Sequence, residues 1–269
     1  MAIKTLLVGC GNMGYAMLSG WIASGRLQAS EVLVVEPNED LRARAGALGV
    51  EVAERAPNAD VAPQLVVLAV KPQIIREVTS AYRHLGNGPT VFLSIAAGTP
   101  IATFQQILGP ETPIVRCMPN TPAAIGKGMM VVYANRKVGS ERLAFVKELL
   151  SASGAVAEID KEDLMDAVTA VSGSGPAYIF HFIECLTAAG EKVGLPSETA
   201  KLLAMQTVYG AACLAAESRE EPATLRRQVT SPNGTTAAAL AVLMGDAKLE
   251  ALVTEAVEAA RRRSVELRG

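Results

Sequence analysis

The 269-residue chain is poor in the residue types that build metal and thiol chemistry. It has two histidines, His84 and His181, and four scattered cysteines, Cys10, Cys117, Cys185 and Cys213. No CxxC pair occurs, so neither a structural zinc site nor a disulfide framework is expected, no metal is assigned, and the thiol usage fits a reducing, cytoplasmic setting. Basic residues are not in excess: 25 Lys and Arg face 27 Asp and Glu, a net charge of −2. That removes the electrostatic drive toward nucleic acid or an anionic membrane surface. The one basic run, Arg261–Arg263, lies near the end of an expected helix, where cations complement the helix dipole. No uninterrupted apolar run approaches the roughly 18 residues of a membrane span. Leu7–Cys10 superficially matches a lipoprotein cleavage box, but the apolar stretch before it is about five residues, shorter than a signal segment's 7–15, and no leader is expected. Internal repeats and low-complexity linkers are also missing.

Half of the residues are hydrophobic and 19% are charged, which excludes disorder and provides a sizeable core. The length suits one large domain or two smaller ones. Short continuous apolar runs at Ile3–Val8, Val32–Val35, Leu65–Val70, Val91–Ile95, Ile114–Cys117, Met129–Tyr133 and Val156–Ile159 predict buried strands. Helical patterns separate most of them, over about 13–24, 39–48, 73–83, 100–108 and 140–152. This alternation predicts a parallel sheet with helices on both faces. Beyond Asp160 the strand signals stop, and 163–193, 197–217, 222–229, 235–244 and 248–267 read as helices. The expected organisation is an α/β domain over 1–160 followed by an all-α domain over 161–269. Ala211–Ala216 and Ala237–Leu243 are apolar nearly all round, more than so small a helical domain can bury alone, which predicts a homo-oligomer interface.

Gly9-Cys10-Gly11-Asn12-Met13-Gly14 is a G-x-G-x-x-G between an expected strand and an expected helix, the context that makes it a dinucleotide-binding, Rossmann-type signature. Gly9 permits the tight turn, Gly11 lets a pyrophosphate approach the backbone, and Gly14 lets the helix pack against the sheet. Glu36, 22 residues after Gly14, can accept from the adenosine ribose hydroxyls, which tilts toward NADH; Arg42 and Arg44 could instead reach a 2′-phosphate, so NADH and NADPH both stay open. Ala69-Val70-Lys71-Pro72 and Ser94–Gly98 end strands on the cofactor side. Lys71 could bond the nicotinamide ribose or sit near the reacting centre. Asn120, in the proline-fixed segment Arg116–Pro122, could read the ribose or carboxamide. Two glycines and a proline in Ser172–Ala177 predict a helix kink or a close approach. Val229–Thr236 joins two helices and ends at a helix N-terminus, which suits a small carboxylate; Thr235 or Thr236 as plain N-cap is the structural alternative.

Six of these segments occur in one order: Gly9–Gly14, Ala69–Gln73, Ser94–Gly98, Arg116–Pro122, Ser172–Tyr178 and Val229–Thr236. In this the chain resembles the pyrroline-5-carboxylate reductases from end to end. The resemblance implies a Rossmann-type domain followed by an all-α dimerisation domain. It implies reduction of the C=N bond of 1-pyrroline-5-carboxylate by NAD(P)H to give L-proline, the last step of proline biosynthesis. Homodimers assembled into rings, up to a decamer, are also implied. Val229, Ser231, Gly234, Thr235 and Thr236 correspond to the substrate-carboxylate loop. The cofactor positions correspond to Gly9, Gly11, Asn12, Met13, Gly14, Glu36, Asn58, Ala69, Val70, Lys71, Pro72, Ala96, Ala97 and Asn120. Thr236 and Lys71 are assigned to the reacting centre. Two departures stand out: Asn233 replaces a frequent glycine, and Glu36 replaces small or basic residues.

An imine substrate fits what is missing. A ketone reductase must protonate a developing alkoxide, usually from His, Lys or Tyr, whereas an iminium nitrogen is neutralised by reduction. A hydroxy-acid dehydrogenase would need a lysine beside the Gly-rich segment of the first long C-terminal helix, and Lys192 is too far along. A dinucleotide sensor without catalysis would have no use for a second anion site.

Overall fold

The computed structural model describes residues 3–57 and 61–268. Eight strands, β1 (Thr5–Val8), β2 (Val32–Val35), β3 (Glu51–Ala53), β4 (Leu65–Leu68), β5 (Val91–Ser94), β6 (Ile114–Met118), β7 (Gly128–Ala134) and β8 (Gly154–Glu158), form one sheet. The order is β3-β2-β1-β4-β5-β6-β7-β8. Helices α1 (Asn12–Ala23), α2 (Glu39–Gly46), α3 (Ile75–Ser80), α4 (Ile101–Leu108) and α5 (Ser140–Leu150) connect the strands. Strands β3 to β6 by way of β2, β1, β4 and β5 are parallel, but β7 pairs antiparallel with β6 and β8 runs parallel to β7. The expected all-parallel sheet is therefore corrected to a mixed one. The link from β6 to β7 is a short turned segment, Thr121–Ile125, too short for the helical crossover a parallel neighbour needs.

The central strands read as continuous apolar runs because both faces are covered. Leu7, Val34, Val67 and Leu93 face a core beneath α1, α2 and α5, where Trp21 is fully buried. Leu6, Leu33, Val66 and Phe92 face the opposite core with Phe104 and Tyr82. The Trp21 indole N–H is not wasted: it donates to the Leu149 carbonyl at 3.1 Å. Strand β3 has no counterpart in the expected elements. It is a three-residue edge strand with Glu51 and Val52 exposed, too short and too wet to leave a periodic signal.

The expected helix over 163–193 is interrupted. A four-residue α6 (Met165–Val168) runs into a π-turn at Thr169–Gly173, and α7 (Gly175–Lys192) starts beyond it. Ser172–Pro176 supplies the residues that resist continuous helix. Then follow α8 (Ser197–Glu217), α9 (Pro222–Gln228), α10 (Thr235–Met244) and α11 (Lys248–Glu266).

The chain divides into two compact units, one of residues 1–174 with 260–269 and one of 175–259. The boundary thus lies beyond the end of the strands near residue 160. Residues 161–174 and the end of α11 belong with the sheet through side-chain bonds such as Arg116–Glu162 and Ser264–Asp166. In the second unit α7 and α8 pack through small residues: a Cβ on Gly190 would lie 3.2 Å from that of Ala200, and Ala200 and Ala204 are buried. Much of the remaining apolar surface is open, with Leu202 and Val242 each 67% exposed.

Candidate active site

The glycine-rich turn is shaped by three different constraints. Gly9 has φ +89°, and a Cβ there would lie 2.7 Å from the Ala69 carbonyl oxygen. A side chain on Gly14 would meet the Gly9 carbonyl at 2.4 Å. Over Gly11, by contrast, nothing among the described residues lies within 4 Å. The turn is therefore closed toward β4 and α1 and open at one glycine. The first-turn amides of α1 lack intrahelical acceptors, and the positive dipole end lies there. This shape and polarity fit the diphosphate of a nicotinamide dinucleotide.

Glu36 closes the loop from the side. It is 7% exposed, and its carboxylate accepts the Cys10 N–H at 2.7 Å and the Asn38 N–H at 2.9 Å. Both nearby arginines turn inward. Arg42 donates to the carbonyls of Glu36 and Pro37, each at 2.9 Å. Arg44 donates to the Cys10 carbonyl at 3.0 Å and lies 4.1 Å from the centre of the Tyr15 ring. Asn58 lies outside the described residues.

The ends of β4 and β5 continue the site. Lys71 is exposed and precedes the turn Pro72–Ile74, whose proline occupies the first helical position. Ala96 is buried, and its N–H donates to Ser94 Oγ at 3.2 Å; Ala97 is exposed. A cleft of about 880 Å³ opens here, lined among others by Pro72, Gln73, Ala97, Gly98, Thr169 and Ser174.

Asn120 does something different from reading a ligand. Its side-chain amide donates to the Ser172 carbonyl at 3.0 Å, and its oxygen accepts the Met129 N–H at 2.8 Å. A Cβ on Gly173 would lie 2.4 Å from Met118 Cε. Asn120 thus ties the segment after β6 to the π-turn and orients both. Burial pushes the Cys10 thiol up to about 11, with Arg44 lowering and Glu36 raising it to lesser degrees, and pushes Cys117 still higher. Neither thiol is a nucleophile at neutral pH.

The segment Val229–Thr236 lies in the second unit. Gly234 is the N-cap of α10, with no side-chain capping bond, so the alternative in which Thr235 or Thr236 is the N-cap does not hold. Gly234 has φ −81°; a Cβ there would displace the Ser231 hydroxyl at 2.4 Å and stand 3.2 Å from the Ser231 carbonyl oxygen. The left-handed residue is Asn233, with φ +60°. Asparagine tolerates that region better than other side chains, which accounts for its standing at this position.

Reading the sequence assigned nothing to Glu162, Asp166 or Arg268, which bind side chains and backbone of the first unit. Acidic residues at a helix start and an arginine at its end carry no distinctive signal of their own.

The fold and the glycine-rich turn define a two-part nicotinamide-dinucleotide oxidoreductase. A family model described as pyrroline-5-carboxylate reductase dimerisation matches residues 162–267, and one described as NADP oxidoreductase, coenzyme F420-dependent, matches 4–98. The chain is 44% identical to a pyrroline-5-carboxylate reductase of Pseudomonas aeruginosa, over 98% of this chain and 96% of that one. It superposes on the structure of a pyrroline-5-carboxylate reductase from Coxiella burnetii with TM-score 0.93 at 35% identity, covering 99% of each chain. On the Plasmodium falciparum pyrroline carboxylate reductase with NADP bound, the TM-score is 0.83 at 31% identity, covering 99% of this chain and 98% of that one. The chain belongs to the pyrroline-5-carboxylate reductase family.

Proposed function

We propose that this chain reduces 1-pyrroline-5-carboxylate to L-proline with NAD(P)H, the last step of proline biosynthesis. The carrying observation is the turn Gly9–Gly14, closed by Gly9 and Gly14 and open over Gly11, in a member of this family. The reduced nicotinamide, when bound, supplies the hydride that reaches the imine carbon. Gly9, Gly11, Asn12, Met13 and Gly14 hold the diphosphate. Ala69, Val70, Lys71, Pro72, Ala96 and Ala97 form the wall beside it, and Asn120 sets the position of the neighbouring segments. Val229, Ser231, Gly234, Thr235 and Thr236 take the substrate carboxylate, with Thr236 and Lys71 nearest the reaction. The iminium nitrogen loses its charge on reduction, so positioning replaces a strong general acid. The raised thiols of Cys10 and Cys117 agree with a reaction that uses neither.

The chain forms a homo-oligomer. Its unit is a dimer built from the helical region beyond residue 160, on the strength of the exposed apolar side chains there, and rings of dimers follow from the family likeness. No helix among the described residues is long and apolar enough to cross a membrane. The four cysteines are free, which supports a reducing cytoplasm. NADH is the preferred donor, because Glu36 directly follows β2 while Arg42 and Arg44 are bonded inward. The test is oxidation of NADH and of NADPH by the purified chain with pyrroline-5-carboxylate and proline as the product assayed. Imine-dependent oxidation with either donor is expected; oxidation of neither overturns the reading.

A further inference from the structure

The loop Ala96–Pro100 has little of its own to hold it. It consists of small residues, turns at Gly98 with φ +71°, and among the described residues makes one side-chain bond, near its start, from Ala96 N–H to Ser94 Oγ. Two carboxylates one helical turn apart fasten the segments that flank it, Glu162 the start of α4 and Asp166 the C-terminal segment. Glu162 Oε1 accepts the N–H of Ile101, the first residue of α4, at 2.8 Å. The same oxygen accepts from the buried Arg116 guanidinium at 2.7 Å. Asp166 is 3% exposed. It accepts from Ser264 Oγ at 2.8 Å and pairs with Arg268. Arg268 also reaches the Asp163 carboxylate at 3.5 Å.

The consequence lies at Gly98. With Ser264 and Arg268 fastened, the last turn of α11 lies against the loop, so that a Cβ on Gly98 would sit 3.1 Å from the Leu267 carbonyl oxygen. Gly98, Leu267 and Arg268 all line the same cleft as Ala97 and Pro72. An ion pair with one partner buried and the other half-buried contributes little net stability over an apolar pair of similar shape, whereas its directional bonds define where two segments stand. We infer that Asp166 and Arg268, with Glu162 as the second anchor, are positioning residues that hold the Ala96–Pro100 loop in register for the bound dinucleotide. None of them touches the reacting atoms. The inference rests on the reductase reading for its functional meaning, but its physical content is the geometry of one loop.

Three variants of the full-length enzyme test it: Arg268→Met, Arg268→Lys and Gly98→Ala. The first removes the pair, the second keeps the cation, and the third presses the loop against the Leu267–Arg268 backbone while leaving the paired side chains in place. Measured quantities are the Kd for NADH and NADPH by fluorescence titration without imine, kcat and KM for the imine, and Tm. A misplaced loop of this kind weakens positioning by roughly 10- to 100-fold. Arg268→Met and Gly98→Ala are therefore expected to weaken dinucleotide binding or lower kcat by about that range, while KM for the imine moves less. Arg268→Lys is expected to recover most of the loss. The double variant Arg268→Met with Gly98→Ala should lose no more than the worse single one, because both act through one loop.

A fall in Tm with dinucleotide Kd and kcat unchanged, in both Arg268→Met and Gly98→Ala, overturns the inference. Strictly additive losses also overturn it. The titration needs no turnover, so a wild-type enzyme that binds the dinucleotide but does not reduce the imine defeats the functional reading and leaves the loop test decisive. Should Arg268→Met not fold, Ser264→Ala, which removes only the hydroxyl bond to Asp166, carries the same comparison.

Discussion

Glu36 shows how one side chain serves two ends. Its carboxylate accepts the Cys10 and Asn38 amides, and it stands where an adenosine ribose is read in Rossmann-type domains. Glu36→Ser should weaken both dinucleotides by loosening the loop. The ratio of kcat/KM for NADH over NADPH should also fall, by roughly 10- to 100-fold, since a hydrogen bond to a charged group is worth about 1.5–3 kcal/mol. A wild-type enzyme strongly preferring NADPH would refute the assignment. Thr236 gives the second prediction at this scale. No side chain caps α10, so its hydroxyl is not spent on the helix end. Thr236→Ala should lower kcat/KM for the imine roughly 10- to 100-fold, leave dinucleotide Kd little changed, and be largely rescued by Thr236→Ser. Equal loss of imine and dinucleotide affinity would make the loop a structural element only. At this scale the glycine roles at 9 and 14 were legible in the spacing, because turn and packing constraints are local. The bonds of Asn120, Arg42 and Arg44 were not, since each reaches a backbone group whose position no spacing reveals.

Among the elements, the turn from β1 to α1 is the one on which cofactor binding depends. Gly11→Val should fold, because nothing among the described residues lies within 4 Å of a Cβ built there. It should nevertheless weaken dinucleotide binding by at least about tenfold, a branched side chain standing where the backbone must be approached. A folded variant with unchanged Kd would remove this turn from the site; circular dichroism and titration together decide it. Seven of the eight strands overlap apolar runs of the sequence; in β1, β2, β4 and β5, buried throughout, the cause is that a strand covered on both faces needs apolar side chains at every position. The edge strand β3 escaped for the converse reason. Helix α7 was expected to begin near residue 163, yet the chain inserts a π-turn at Thr169–Gly173. There Asn120 and Met118 approach Ser172 and Gly173. Local composition signalled the break but not its partner.

For the whole molecule, the apolar surface of the second unit governs behaviour. Leu202, Tyr209, Val242 and Leu252 are each more than 60% exposed, an arrangement a monomer in water does not sustain without association. Sedimentation at low micromolar concentration should show a dimer or larger species and no folded monomer. Tm should rise with protein concentration, because association is linked to folding. A stable, fully active monomer would refute this.

The amino-acid order by itself determined the alternation of strands and helices, the dinucleotide turn, the all-α second part and the excess of apolar helix surface. These follow from periodicity, from glycine and proline conformational limits, and from composition, all properties of short stretches of chain. Tertiary structure alone decided the antiparallel entry of β7 and the inward bonding of Arg42, Arg44 and Asn120. It also decided the return of residues 260–268 to the sheet-bearing unit. Ser264 and Arg268 meet Asp166 across about a hundred residues of chain. Such a pair depends on where two distant backbones come to rest, and no local preference encodes that.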